Sequence, residues 1–140
     1  GAQAKSKTVR TDFTHEKDGI TLDIASAYNV PALQKLERSM EYNRAGKGSV
    51  TFTDHFEYAQ PGAFETGIST RSAWKQVSAN TLLLTRGKEK MQVTFSSPGS
   101  KLSLRSEKIA EGGTPYSRIG IFIDKPAASG EISITYKPLK

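Results

Sequence analysis

The chain has 140 residues and a formal net charge of +6 at pH 7, and its 36% hydrophobic and 24% charged residues are typical of one globular domain. It contains no cysteine, which excludes disulfides, thiolate nucleophiles and cysteine-bound zinc. No apolar run approaches the ~20 residues that span a bilayer, and no hydrophobic signal segment opens the sequence, so we expect no membrane partner.

The positive charge is concentrated in the second half of the chain. Residues 1–70 contain 8 Lys and Arg against 9 Asp and Glu, whereas residues 71–140 contain 12 against 5. A basic half could attract an anionic polymer, either an acidic polysaccharide or a nucleic acid. The basic residues are spread along the strands and no nucleic-acid-binding motif is present, so solvated strand faces are the favoured interpretation and no nucleic-acid partner is expected.

Alternating apolar and polar residues predict β-strands along almost the whole chain. The first are KTVRTDFTH and GITLDIA, and later ones include NTLLLTR, EKMQVTFSS, YSRIGIFID and GEISITYKP. Segments rich in Gly and Pro, such as RAGKG, SPGS and EGGTP, separate these strands. The pattern predicts an all-β fold, a two-layer antiparallel β-sandwich of roughly ten strands.

The sandwich is predicted to occupy residues 7–140 as a single domain, with residues 1–6 as a tag remnant or flexible start. Gly1 before Ala2 is typical of a residue left by tag cleavage, so a signal sequence could lie upstream. The apolar faces of the strands should form the core. The predicted core residues are Ile20, Leu22, Ile24, Leu36, Met40, Val50, Phe52, Leu82, Leu84, Val93, Phe95, Leu102, Ile119, Ile121, Ile123, Ile132 and Ile134.

The stretch from Asp23 to Arg44 carries both a helical and a strand-like pattern. Leu36, Met40 and Tyr42 share one strand parity, whereas a helical stripe would leave Tyr42 out. We therefore predict a short turn or 3₁₀ piece near Tyr28–Ala32 and then a strand from about Leu33 to Arg44.

Several short motifs together resemble the C-terminal β-sandwich domain of the heparinase II/III-like polysaccharide lyases. They are Asp23, Ala27-Tyr28, Leu33, Leu36-Glu37-Arg38 and the run from Val50 to Phe56. The resemblance extends over nearly the whole chain from about Lys7. Later segments that fit it are FETGISTRSAW, NTLLLTRGKEKMQVTF, RIGIFI and the ending YKP.

This resemblance implies a non-catalytic domain that acts as a scaffold for an N-terminal catalytic α/α toroid in the same chain. Such parent enzymes cleave acidic polysaccharides by β-elimination, and their catalytic residues and metal ligands lie outside the sandwich. The resemblance therefore implies no catalytic residue, metal ligand or cofactor here, and a periplasmic or secreted location. The alternative is an autonomous carbohydrate-binding module for acidic glycans.

Two charged groups could bind ligands or could be structural. Arg38 with Glu37 or Asp23 could recognise sugar carboxylates, because arginine binds such groups with two parallel hydrogen bonds. The favoured interpretation is an ion pair that holds the Tyr28 loop against the sheet.

Asp54 and His55 could join His15 in a metal site or a proton relay, since imidazole and carboxylate serve both roles. Adjacent residues on a strand point to opposite faces, so a structural Asp54 that accepts backbone hydrogen bonds is favoured. Asp23, Tyr28, Arg38 and Asp54 are thus predicted to be structural.

Trp74 lies between Arg71 and Lys75 and could stack on a sugar ring with cations beside it. A single Trp more often seals the edge of a sandwich core, which is the favoured interpretation. Trp74, Arg71 and Lys75 are the predicted glycan contacts if the chain binds carbohydrate.

Overall fold

A computed structural model of the chain describes residues 4–110 and 112–139, and in this part of the chain it contains strands and one short 3₁₀ turn at Ala25–Ala27. None of the described elements is a helix long and apolar enough to cross a membrane. The strands are β1 (Lys7–Phe13), β2 (Lys17–Asp23), β3 (Leu33–Asn43), β4 (Ser49–Gly62), β5 (Glu65–Thr70), β6 (Ala73–Ser78), β7 (Thr81–Arg86), β8 (Glu89–Ser96), β9 (Leu102–Ile109), β10 (Tyr116–Ile123) and β11 (Ala127–Pro138).

The strands form two antiparallel sheets of unequal size. The large sheet has eight strands in the order β1-β2-β3-β4-β11-β8-β7-β6, and the small sheet has three in the order β5-β10-β9. The predicted all-β sandwich is therefore confirmed, with eleven strands where roughly ten were expected. Of the predicted flexible start, residues 1–3 lie outside the described residues.

The segment between β2 and β3 differs in one detail from its prediction. The 3₁₀ turn starts directly after β2, because the Asp23 carboxylate accepts a hydrogen bond from the Ala25 N–H at 3.0 Å. Aspartate side chains commonly accept a hydrogen bond from the backbone N–H two residues later and so start a turn. A separate turn at Pro31 and Ala32 then leads into β3, which begins at Leu33 as predicted and ends one residue before Arg44.

The small sheet packs on only part of the large sheet. The buried cluster draws on Leu36 from β3 and Phe56 from β4 but on two residues each from β7, β8 and β11. Ten of its members were predicted as core and three were not, namely Phe56, Phe64 and Ile68. The whole cluster consists of Leu36, Phe56, Phe64, Ile68, Leu82, Leu84, Val93, Phe95, Ile119, Ile121, Ile123, Ile132 and Ile134.

Seven predicted core residues are not buried in this cluster. Ile24 and Leu102 pack against it and are half-buried. The remaining five lie outside it: Ile20, Leu22, Met40, Val50 and Phe52. These five share the inner face of the large sheet, because the register places Ile20, Met40 and Phe52 in one row with the buried Ile134. The face on which these side chains lie was predicted correctly. The three strands of the small sheet cannot cover the inner face of all eight strands, so these five residues are not buried.

Candidate functional site

The uncovered part of the inner surface is a largely apolar area, which we call the open face. It comprises the row Ile20, Met40 and Phe52 across β2 to β4 and the neighbouring row Phe13, Tyr42 and Val50. In that second row Asp18 of β2 lies between Phe13 and Tyr42, and it is paired with Arg44. The exposed fractions are 69% for Phe13 and 42% for both Met40 and Tyr42. Contiguous exposed apolar surface of this kind commonly marks an interaction site.

The opposite face of the same strands is polar and satisfied within the sheet. The hydroxyls of Thr21 and Ser39 lie 2.8 Å apart, and those of Thr53 and Ser133 lie 2.9 Å apart. Each hydroxyl pair joins neighbouring strands across the sheet. The sheet thus has one hydroxyl-lined face and one largely apolar face, and over β1 to β3 the small sheet does not cover the apolar face.

An ion pair lies on the open face. Arg38 and Asp54 are opposite each other in the β3–β4 register, in the same row as Leu22 and the buried Ile132. Arg38 Nε donates to Asp54 Oδ1 at 2.6 Å, and Nη2 donates to Oδ2 at 2.8 Å. The Asp54 side chain is only 4% exposed, whereas that of Arg38 is 39% exposed. Hydrogen bonding to Asp54 raises the pKa of the Arg38 guanidinium above its ordinary value.

This pairing corrects two predictions. Glu37 and Asp23 were the expected partners of Arg38, but they face each other on the hydroxyl-lined side of the sheet. Asp54 was expected to accept hydrogen bonds from the backbone, and its carboxylate accepts two from the guanidinium of Arg38 instead. The signal was present in the sequence, because Arg38 and Asp54 each interrupt an apolar parity and such interruptions often mark a buried pair.

Two tyrosines lie near the ion pair. Tyr136 from β11 contacts Phe52 edge-on, with ring centroids 6.0 Å apart, and burial raises the pKa of its phenol while the charge of Arg38 lowers it. Tyr28 follows the 3₁₀ turn, and its side chain is exposed. Arg38, Asp54 and Tyr136 therefore form a polar centre within a largely apolar surface.

The two histidines do not meet at Asp54. His15 lies in the β1–β2 loop beside Glu16, whereas His55 on β4 has Nε2 3.3 Å from Glu57 Oε1. His55 and Asp54 are adjacent and point to opposite faces, as strand geometry requires. Within residues 4–110 and 112–139, no group of three or more His, Asp or Glu side chains is arranged to hold a metal ion.

A second candidate site lies where β6 meets the end of the small sheet. Trp74 is half-buried and packs against the edge of the buried cluster. It lines a depression of about 350 Å³ together with Arg71, Lys108 and Tyr116. Lys75 does not line this depression, because it neighbours Trp74 on the strand and therefore points to the other face. Sequence reasoning missed Lys108, which comes from β9, and Tyr116 joins the depression from β10.

The outer face of the small sheet carries a charge network. Glu65 lies 2.5 Å from Arg105 and 3.3 Å from Arg118, which also binds Glu107 at 3.0 Å. The Glu65 side chain lies flat over Gly120, where an added Cβ would be 2.6 Å from the carboxylate. Two arginines are thus neutralised by two glutamates, so the arrangement is structural rather than an open anion site.

Comparison with solved structures identifies this architecture. The chain aligns with a crystal structure of heparinase III over 96% of its length, with a TM-score of 0.72 and 13% sequence identity. It aligns with a second heparinase III, the BT4657 gene product, over 97% of its length, with a TM-score of 0.67 and 15% identity. The chain spans only 21% and 22% of those two chains.

Comparison by sequence adds no assignment. No family model matches the chain, and no curated protein matches it. The resemblance predicted from the motifs is therefore confirmed at the level of the fold by the solved structures. The chain has the fold of one domain of heparinase III.

Proposed function

We propose that the chain is a non-catalytic scaffold domain of a longer polysaccharide lyase of the heparinase II/III-like kind, and that its open face packs against the catalytic toroid. The observation that carries the proposal is the open face itself. Phe13, Met40 and Tyr42 are exposed there, next to the buried cluster that the small sheet covers. The small share of each heparinase III chain that this fold accounts for supports the presence of a larger partner in the same polypeptide.

The composition of the open face is suited to a permanent interface within one chain. Aromatic residues and methionine are enriched at the centres of protein interfaces, and charged residues are depleted there. The open face provides Phe13, Tyr42, Phe52 and Met40, and the charge of Arg38 is neutralised by Asp54. A domain that functioned alone would be expected to cover or break up such an area.

The proposal is tested by expressing this domain and the remainder of its parent protein as separate polypeptides. We expect the two to associate, and we expect Met40→Lys to weaken the association at least about tenfold, because it places a charge in a desolvated apolar contact. Gln92→Lys is the matched control, since it adds the same charge on the outer face of β8. Equal affinity of the Met40→Lys and Gln92→Lys domains would contradict the proposal.

The remaining parts of this proposal concern the parent protein. It would cleave an acidic polysaccharide by β-elimination with residues outside this domain, and the domain would bind no metal or cofactor of its own. The resemblance to these lyases also leads us to propose a periplasmic or secreted location. Release of unsaturated uronic products by the 140-residue chain alone would contradict the non-catalytic assignment.

A second function, glycan binding, is favoured by the depression beside Trp74. An indole ring can stack on a sugar, and the cations of Arg71 and Lys108 can neutralise a carboxylate or sulfate on it. Tyr116 adds a second aromatic wall. The expected ligand is an oligosaccharide that carries acidic groups.

This second candidate has its own test. Titration of the domain with an acidic oligosaccharide, followed by Trp74 fluorescence, should show saturable binding that weakens with salt. Lys108→Gln should weaken that binding, whereas Lys75→Gln should not, because Lys75 points away from the depression. Equal effects of the two substitutions would indicate attraction by overall charge only.

A further inference from the structure

We propose that the segment docking on the open face brings uncharged oxygen acceptors, namely backbone or side-chain amide carbonyls set among apolar side chains, to the free N–H groups of Arg38. This inference rests on the proposed docking function and adds the chemistry of the partner. It starts from Arg38, a charged group in the open face that still has unused hydrogen-bonding capacity.

The unused capacity follows from the geometry of the ion pair. A guanidinium has five N–H groups, and Asp54 accepts one from Nε and one from Nη2. Within residues 4–110 and 112–139, no other acceptor bonds to Arg38. Its side chain is 39% exposed, so water serves the remaining donors in the isolated domain.

Docking would remove that water. Burying an N–H donor without an acceptor is unfavourable, and the penalty is larger for a charged donor. An apolar partner that offered only hydrocarbon to Arg38 would therefore oppose the association that the surrounding apolar rows favour. The partner must supply oxygen at this position.

The charge balance selects the type of oxygen. Asp54 is nearly buried and already neutralises Arg38. A second carboxylate would leave a net negative charge in a desolvated interface, which is unfavourable. A carbonyl oxygen accepts the free N–H groups without adding charge. The phenol of the neighbouring Tyr136 stays neutral as well, since burial raises its pKa.

Two variants of the domain test the inference in the two-polypeptide association assay. Arg38→Met with Asp54→Leu removes the pair together and avoids an unpaired buried charge, so the domain should still fold. We expect its association to weaken about tenfold or more, because hydrogen bonds to a charged donor are lost. Association as tight as that of the parent would overturn the inference while leaving the docking function intact.

Asp54→Asn distinguishes the two kinds of acceptor by the direction of its effect. The asparagine keeps the shape of the side chain but leaves the Arg38 charge uncompensated. With carbonyl acceptors, docking then buries a net positive charge and should weaken about tenfold or more. If the partner supplied a carboxylate, Asp54→Asn would leave affinity unchanged or tighten it, and that result would overturn the inference. Thermal unfolding of each isolated variant confirms that it is folded.

Discussion

Breaking the Arg38–Asp54 pair from one side should destabilise the isolated domain much more than removing both residues. Arg38→Met leaves a carboxylate that is only 4% exposed without its two donors. Loss of one partner from a buried pair typically costs 3–5 kcal/mol, and we expect about 3 kcal/mol here because Arg38 is 39% exposed and water can reach the gap. Asp54→Leu should cost less, about 1–2 kcal/mol, since the arginine can turn into solvent.

The double variant Arg38→Met with Asp54→Leu should lie within about 1 kcal/mol of the parent, because apolar residues of similar volume often replace a buried pair without loss. The assay is urea unfolding of the parent, the two single variants and the double variant. Their free energies of unfolding are compared on the condition that the slope of free energy against urea concentration is the same for all four. The cycle should give a coupling energy of about 3 kcal/mol. Costs that simply add, or a loss below about 1 kcal/mol for Arg38→Met alone, would refute the view that Asp54 depends on this partner.

Three further predictions concern the fold. Gly120→Ala should lower the free energy of unfolding in urea by about 1–3 kcal/mol, because its Cβ would displace the Glu65 carboxylate. Gly67→Ala is the control and should cost nothing, because the nearest atom to its added Cβ is 3.7 Å away. Equal losses would contradict the crowding argument. Phe56→Ala should cost about 3–5 kcal/mol, since the side chain is fully buried in the core, and a loss below about 1 kcal/mol would contradict that burial. The raised pKa of Tyr136 means that the folded state holds this phenolic proton more tightly than the unfolded chain. The contribution of Tyr136 to stability should therefore be constant below the ordinary pKa of 10.0 and fall as the pH rises above it, and Tyr136→Phe should remove that part of the loss.

Parity in the sequence determines which side chains share a face, but not whether that face is covered. The alternation around Met40 and Phe52 correctly placed both on the inner side of the large sheet. Their burial depends on how many strands the second sheet contributes, and that number results from chain connections between distant segments. The same limit explains why Phe64, which lies just before the short β5, and Ile68, which lies on it, were not predicted as core.

The partners within each site depend on cross-strand register, which local pattern does not fix. Arg38 was assigned to Glu37 or Asp23, yet Asp54 lies opposite it across the β3–β4 pair. Trp74 was recognised as a candidate contact from its indole ring and its basic neighbours in the sequence. Lys108 and Tyr116 approach it only because β9 and β10 pair in the small sheet.

Protection of Met40 and Tyr42 in the intact parent protein tests the central claim most directly. Both side chains react readily with hydroxyl radicals, and both are 42% exposed in this domain. Radical footprinting read by mass spectrometry should find both reactive in the 140-residue chain and strongly protected in the parent protein. Tyr116, which lies at the far end of the small sheet, serves as the control and should react equally in both. Equal reactivity of Met40 and Tyr42 in the two proteins would contradict the claim that the open face is a docking surface.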